Sequence, residues 1–307
     1  MVARPRTFSF LARRSFTLEE GRAAGATRSH LRARNLSIPS RGIRVPTGEQ
    51  QKQLDRVRPY TVMYSDGCIS HVNAAQIHGM PLPWFDNEIR AIHVTNPART
   101  SHLRRKGVVG HANMLDASEI MLIEGVAVTT PARTFLDLAA ILTLDQLVAV
   151  ADFLICEHER HFEPPRLAIV KDEKLRAYIG EKHHIRGLAN AREAVGLMRA
   201  GVDSPPETKM RLALHRAGLP EFTPNYAIPG DPEVWPDLAC KEFKTCAEYE
   251  GEIHQTPQKQ LFDRTRDQRT AERGWIQVKV YKSDMRRGDA YVVEMFKKAL
   301  RRQGWQG

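Results

Sequence analysis

The sequence predicts a mixed α/β fold of the α+β kind, on three observations. Apolar residues recur at helical spacing in bounded stretches, Leu144 to Cys156 among them. Alternating runs between them read as strands, as in Trp275 to Tyr281, where Ile276, Val278 and Val280 share a face. The last third carries both kinds in the order α-β-β-β-α-β-α. At 307 residues the chain has room for two or three modest domains.

Residues 1–60 read as a small helical module. Thr17 caps a helix opening at Leu18, Glu20 completes a capping box, and Gly25 ends it. Thr27 caps a second helix through Arg34, and Ile38 to Val45 follows as a hairpin. Two short helices about a glycine turn, then a hairpin, read as a winged helix-turn-helix. Its second helix would present Arg28, Ser29, Arg32 and Arg34 to DNA, and its wing Arg41 and Arg44. The charge agrees: residues 1–60 hold thirteen Lys or Arg against four Asp or Glu, in a chain of net charge +10. Arginine at that density suits bidentate contact with phosphate.

Residues 61–165 read as a small α/β domain. His71 to Met80 is a short helix ended at Gly79. Ile89 to Thr95, Gly107 to His111 and Gly125 to Thr129 are strands. Thr130 caps a helix with Pro131 in its first position, and Arg133 and Asp137, one turn apart, form a local ion pair. Residues 166–200 are a charged helical connector in which His183 and His184 face solvent. Residues 201–307 open with a helix from Ser204 to Gly218. Strands follow at Thr223 to Ile228, Val234 to Ala239 and Phe243 to Glu250. Next come a helix from Gln258 to Arg273, the strand from Trp275, and a closing helix from Asp289 to Gln303.

The chemistry concentrates in that last segment. Asp237, Glu248 and Glu250 stand at the ends of neighbouring strands, Glu207 about one helix upstream. Carboxylates held close repel one another unless a cation or a proton intervenes. In a basic chain that pattern points to Mg²⁺, or Mn²⁺, and a phosphodiester, with Asp237 and Glu248 as ligands. Glu250 shares the face of Glu248 by the period of two, and Tyr249 points away to pack. His254 would position water or protonate the leaving oxygen. Gln260 would lie near the ion, and Arg266 would contact a phosphate or brace a carboxylate. Glu207 also reads as the partner of Ser204 in a capping box.

These motifs carry a resemblance. Ser204-Pro205-Pro206-Glu207-Thr208, Ala217-Gly218-Leu219-Pro220, Pro236-Asp237-Leu238-Ala239 and Glu248-Tyr249-Glu250-Gly251 stand in order. His254, Gln260, Asp263, Arg266 and Gly274-Trp275 follow. The C-terminal third thereby resembles the PD-(D/E)XK nuclease superfamily, nearest to its very-short-patch-repair-like endonucleases. The resemblance implies a restriction-endonuclease-like αβββαβ core with Glu207, Asp237 and Glu248 as its acidic centre and His254 and Gln260 close by. The superfamily's lysine would fall at Glu250, and Ile253-His254 replaces a histidine pair, so a weakened or inactive centre is also implied. The module of Phe16 to Val45, the stretch His71 through Pro83, and Thr129 to Leu138 resemble the antitoxin-like half of AbiEi-type proteins, whose module binds promoter DNA.

The expected function is a Mg²⁺-dependent endonuclease on duplex DNA. The alternative is a non-catalytic DNA-binding regulator, or an antitoxin acting through a partner. The sequence shows no apolar run of bilayer length, and no signal-peptide core follows Arg4 and Arg6, so a cytoplasmic location is expected. Cys68, Cys156, Cys240 and Cys246 lack metal-finger spacing and are expected as reduced thiols.

Overall fold

The structure is a computed structural model describing residues 14–48, 51–83, 91–97, 104–160, 163–231, 234–251 and 257–307, and only the backbone over 257–263. The fold is mixed α/β, and the chain divides into two compact units, Met1–Ile141 and Leu142–Gly307. No helix among the described residues is long and apolar enough to cross a membrane.

The first unit opens with β1 (Phe16–Thr17) and α1 (Leu18–Ala23). The capping box forms as expected: the Thr17 hydroxyl accepts from the Glu20 amide at 3.1 Å, and the Thr17 amide donates to Glu20 Oε2 at 2.8 Å. Gly25 follows at φ +86°, the left-handed conformation that glycine adopts without strain. The expected second helix does not form at length. Only a single 3₁₀ turn forms, His30–Arg32, with Ser29 and not Thr27 at its N-cap; the Thr27 hydroxyl still accepts from the His30 amide at 3.3 Å. One apolar anchor, Leu31, packs there against Phe16, too little to propagate a helix whose other side chains face water. β2 (Leu36–Ser37) and β3 (Ile43–Pro46) then form a hairpin whose first strand precedes the expected start at Ile38, in a sheet of order β1-β3-β2. α2 (Gln53–Met63) runs across residue 60, and the pair Arg58–Glu20 at 2.6 Å ties it to α1.

A five-stranded sheet of order β6-β5-β4-β8-β7 completes this unit. Its strands are β4 (Cys68–Ile69), β5 (Ile92–Asn96), β6 (Val108–Ala112), β7 (Ile120–Ile123) and β8 (Val126–Thr129). The β7–β8 hairpin turns through Glu124 and Gly125, both at positive φ. β7 escapes the sequence reading because its apolar run does not alternate and leaves Leu122 72% exposed. α3 (His71–Ile77) and α4 (Pro131–Leu138) pack with the sheet, and Thr130 caps α4 as expected.

The second unit begins with α5 (Leu144–Ile155), α6 (Asp172–Glu181) and α7 (Leu188–Leu197). α5, grouped by sequence with the central segment, belongs to this unit, and Asp152 on it bonds Arg211 and Thr208 of α8 (Pro205–Arg216). Next come β9 (Thr223–Pro224), β10 (Leu238–Cys240), β11 (Thr245–Glu250), α9 (Pro257–Glu272), β12 (Ile276–Tyr281), α10 (Lys282–Arg286) and α11 (Asp289–Arg302). The order matches expectation apart from the short α10. β9 and β10 are shorter than expected: Tyr226, Ile228 and Val234 pack as a loop against Trp275, with the Ile228 amide donating to the Val234 carbonyl at 3.0 Å outside any strand. β11 lies inside a sheet of order β12-β11-β10-β9, antiparallel to β10 and parallel to β12. One face is filled by Met210 and Leu214 of α8 and by Val292, Phe296 and Leu300 of α11.

Candidate acidic centre and basic face

The register of β10 and β11 sets the geometry. Leu238 lies opposite Ala247 and Ala239 opposite Cys246. Continuing that register by one residue sets Asp237 opposite Glu248, and opposed residues share a face. Leu238 and Ala247 point into the core beneath α8 and α11, so the two carboxylates point the other way, toward α9. The Tyr249 amide donates to Asp237 Oδ2 at 2.6 Å and fixes that side chain. Tyr249 itself packs on the core face, as expected. Glu248, 7% exposed, meets Arg266 of α9 at 3.0 Å. Glu250 follows on the same face, half-buried.

Glu207 comes from the first turn of α8. The expected capping box is replaced: Ser204 makes no side-chain cap. Its hydroxyl instead donates to Glu207 Oε1 at 2.6 Å, and the Asp203 amide donates to Oε2 at 2.9 Å. The carboxylate is thus held at 6% exposure by its own helix start.

The electrostatics bind the three into one group. Burial, then the charge of Asp237, pushes Glu248 up to about 8. The same two causes push Glu207 up to about 7. Burial raises Asp237 to about 6, opposed by the Tyr249 amide and by Arg266. Three buried carboxyl groups that resist ionisation together are short of positive charge. Their oxygens do not form a closed cage. Among the described residues, the groups with three ligand atoms all within 4.8 Å of one another are His71–His93–His111 and Cys156–His158–Asp203.

Other residues join that the sequence reading did not single out. Asp203, next to Glu207, accepts from Arg160 at 2.6 Å and Arg166 at 2.9 Å. Burial opposes its charge, yet the Arg160 contact holds Asp203 below its ordinary value. Lys279 stands beside Glu248 in the β11–β12 register and pairs with Asp267 of α9. Its place on the polar side of an alternating strand was legible, its neighbour was not. His254 lies outside the described residues, as do the side chains of Gln260 and Asp263. Arg264 is exposed, whereas Arg269 pairs with the buried Asp231.

In the first unit, Arg28, Ser29, Arg32, Arg34 and Arg41 are exposed. Arg44 corrects the expectation of an outward wing residue. It is 8% exposed, and its guanidinium donates to the carbonyls of Leu31 at 2.6 Å and Ile43 at 2.9 Å. Burial, then the nearby Arg32, lowers its pKa. Arg44 floors a groove of about 460 Å³ that Arg22, Arg28 and Arg32 also line. The Arg133–Asp137 pair forms at 2.9 Å, and His183 and His184 are exposed, both as expected.

No family model matches the chain. Two uncharacterized proteins of Mycobacterium tuberculosis are similar to it: MT2308 of strain CDC 1551 / Oshkosh and Rv2248 of strain ATCC 25618 / H37Rv. Each is 28% identical over 219 residues, covering 70% of this chain and 74% of the relative. That length exceeds either unit alone, so the likeness spans residues of both.

Proposed function

We propose that the chain is a DNA endonuclease of the PD-(D/E)XK kind, resembling the very-short-patch-repair-like enzymes, with an N-terminal winged helix-turn-helix that tethers it to duplex DNA. The observation that carries this reading is the juxtaposition of Asp237 and Glu248 across β10 and β11, with Glu207 adding its charge from α8. The αβββαβ order of the second unit supports it, as does the exposed arginine cluster of the first.

The donor set suits a hard divalent cation. It is all carboxylate, buried and mutually repelling, and Mg²⁺ asks for only one or two such ligands because it keeps several waters. Asp237 and Glu248 would hold it. When bound, the ion supplies charge neutralisation at the scissile phosphate and a lower pKa for a coordinated water. The Tyr249 amide keeps Asp237 oriented through Oδ2. Glu207, anchored by Ser204 and the Asp203 amide, accepts a proton from water more readily than an ordinary carboxylate, since its pKa is raised. Arg266 braces Glu248 at 3.0 Å and would meet a phosphate oxygen of bound DNA. The roles expected of His254, positioning water or protonating the leaving oxygen, and of Gln260, beside the ion, rest on the sequence alone.

Nicking of supercoiled plasmid in Mg²⁺ or Mn²⁺ tests the reading. We expect wild-type nicking that a chelator abolishes, and a loss of at least about 100-fold in Asp237→Ala and Glu248→Ala. Activity surviving both substitutions removes the assigned centre.

A second reading is favoured by one contact. The Arg266 guanidinium already lies 3.0 Å from Glu248, and the resemblance sets Glu250 at the superfamily's lysine position. A nuclease-like scaffold in a DNA-binding regulator or antitoxin would look the same. It predicts salt-sensitive duplex binding without nicking in any divalent ion.

A further inference from the structure

A separate cluster lies in the first unit, independent of the nuclease reading. β5 and β6 run parallel with Thr95 beside His111, so His93 and His111 share a face. His71 opens α3 at φ +49°, an uncommon conformation for a residue with a Cβ, and is 7% exposed. The His71 and His111 rings stack at 3.6 Å, and His93 lies 5.2 Å from His111 and 5.6 Å from His71, centroid to centroid. Nδ1 of His93 is 3.0 Å from Nε2 of His111. One ring nitrogen from each histidine lies within 4.8 Å of the other two.

A second observation points into this cluster. Asp137, 5% exposed, accepts at Oδ1 from Arg133 Nε at 2.9 Å. Its carboxylate accepts from the His71 amide, and its buried Oδ2 lies 3.8 Å from Nδ1 of His71, which Ser70 Oγ meets at 2.9 Å. A polar partner on one ring nitrogen orients an imidazole so that its other nitrogen can meet a metal, and Ser70 Oγ is that partner here, with Asp137 beside it. We propose that His71, His93 and His111 bind one divalent transition-metal ion, with Zn²⁺ the best match, and that Ser70 Oγ on the ring and Asp137 on the backbone amide hold His71 in place.

The chemistry of the donors favours this class of ion over Mg²⁺, because imidazole suits Zn²⁺, Cu²⁺ and Ni²⁺ while Mg²⁺ takes oxygen. Two nitrogens on a tetrahedral ion with bonds of about 2.0–2.1 Å stand about 3.3 Å apart, close to the spacing of His93 and His111. The stacked rings of His71 and His111 lie at 12°, so closing on one ion requires one of them to turn about χ2, a soft torsion. Three histidines leave a fourth position for water or an incoming ligand. The other close group, Cys156–His158–Asp203, does not qualify, because Arg160 and Arg166 already occupy its carboxylate.

The full chain, stripped with chelator, is titrated with Zn²⁺ by calorimetry and with Co²⁺ by visible absorption. One equivalent of micromolar or tighter affinity is expected. His93→Ala and His111→Ala should each remove it, and Asp137→Asn should weaken it by about 10–100-fold. The double variant His183→Ala/His184→Ala should bind as wild type. Imidazole ¹⁵N shifts of the unmutated chain on adding Zn²⁺ keep the test independent of variant folding: three histidines should move together. No binding to the wild type, binding unchanged in His93→Ala, loss of binding in the His183/His184 variant, or ¹⁵N shifts confined to other histidines would each overturn the proposal.

Discussion

At the scale of single residues, Glu248 concentrates the tension of the acidic centre. Its ordinary value is 4.5 and its folded value about 8, so the folded chain holds a proton that the unfolded chain has released. Stability contributed by such a group is present below its ordinary value and is lost as pH rises through the folded one. Glu207 and Asp237 follow the same sign, toward about 7 and about 6. We therefore expect the chelator-treated protein to lose Tm between about pH 5 and 8, and Glu248→Gln to flatten that loss. Equal pH profiles for wild type and Glu248→Gln would contradict the burial of that charge. Arg44 teaches the converse. Arg41, in the same hairpin, is exposed, and nothing in the residue type tells that Arg44 bonds the carbonyls of Leu31 and Ile43. Arg44→Ala should lower stability, read as a fall in Tm, because it leaves the Leu31 carbonyl without its donor.

Among elements, α8 does the most positioning. Its start sets Glu207 beside the sheet, and its body is bolted to α5 by Asp152, which accepts from Arg211 and Thr208 at 2.9 and 2.8 Å and from the Arg199 amide at 2.7 Å. Asp152→Ala should cost about 3–5 kcal/mol in denaturant unfolding, because Arg211, 6% exposed, keeps a buried and unpaired charge. A loss under about 1 kcal/mol would mean that Arg211 finds water. Elements were legible where a cap and a period agreed. Thr17 with Glu20, Thr130 with Pro131, and the alternation of β12 all formed as read. The stretch after Thr27 lacks an apolar stripe and made one 3₁₀ turn, without a side-chain cap. The histidine cluster was not legible at all: β4 to β6 and α3 bring together residues up to forty apart, and no spacing announces them.

Over the whole molecule, charge and acid lie in different units. The basic surplus falls in the first 60 residues, and Asp237, Glu248 and Glu207 fall in Leu142–Gly307. In the proposed reading one unit finds DNA and the other cuts it. Duplex affinity should then fall with salt. Arg28→Ala/Arg32→Ala should weaken binding and shallow the salt slope by about 0.9 for each phosphate no longer neutralised. Unchanged binding by that variant would move the DNA interface elsewhere. The order of elements in the second unit could be read from the sequence, and so could its acidic residues. The pairing of Asp237 with Glu248 could not, because a slip of one residue would have turned one of them to the core. The proposed chemistry rests on these two carboxylates sharing a divalent cation. Calorimetric titration of the full chain with Mg²⁺ at about pH 8, against Asp237→Asn, is the decisive experiment. Saturable binding is expected in the wild type, weaker toward pH 5.5 and lost in Asp237→Asn; equal binding by both proteins, or none by either, would contradict it.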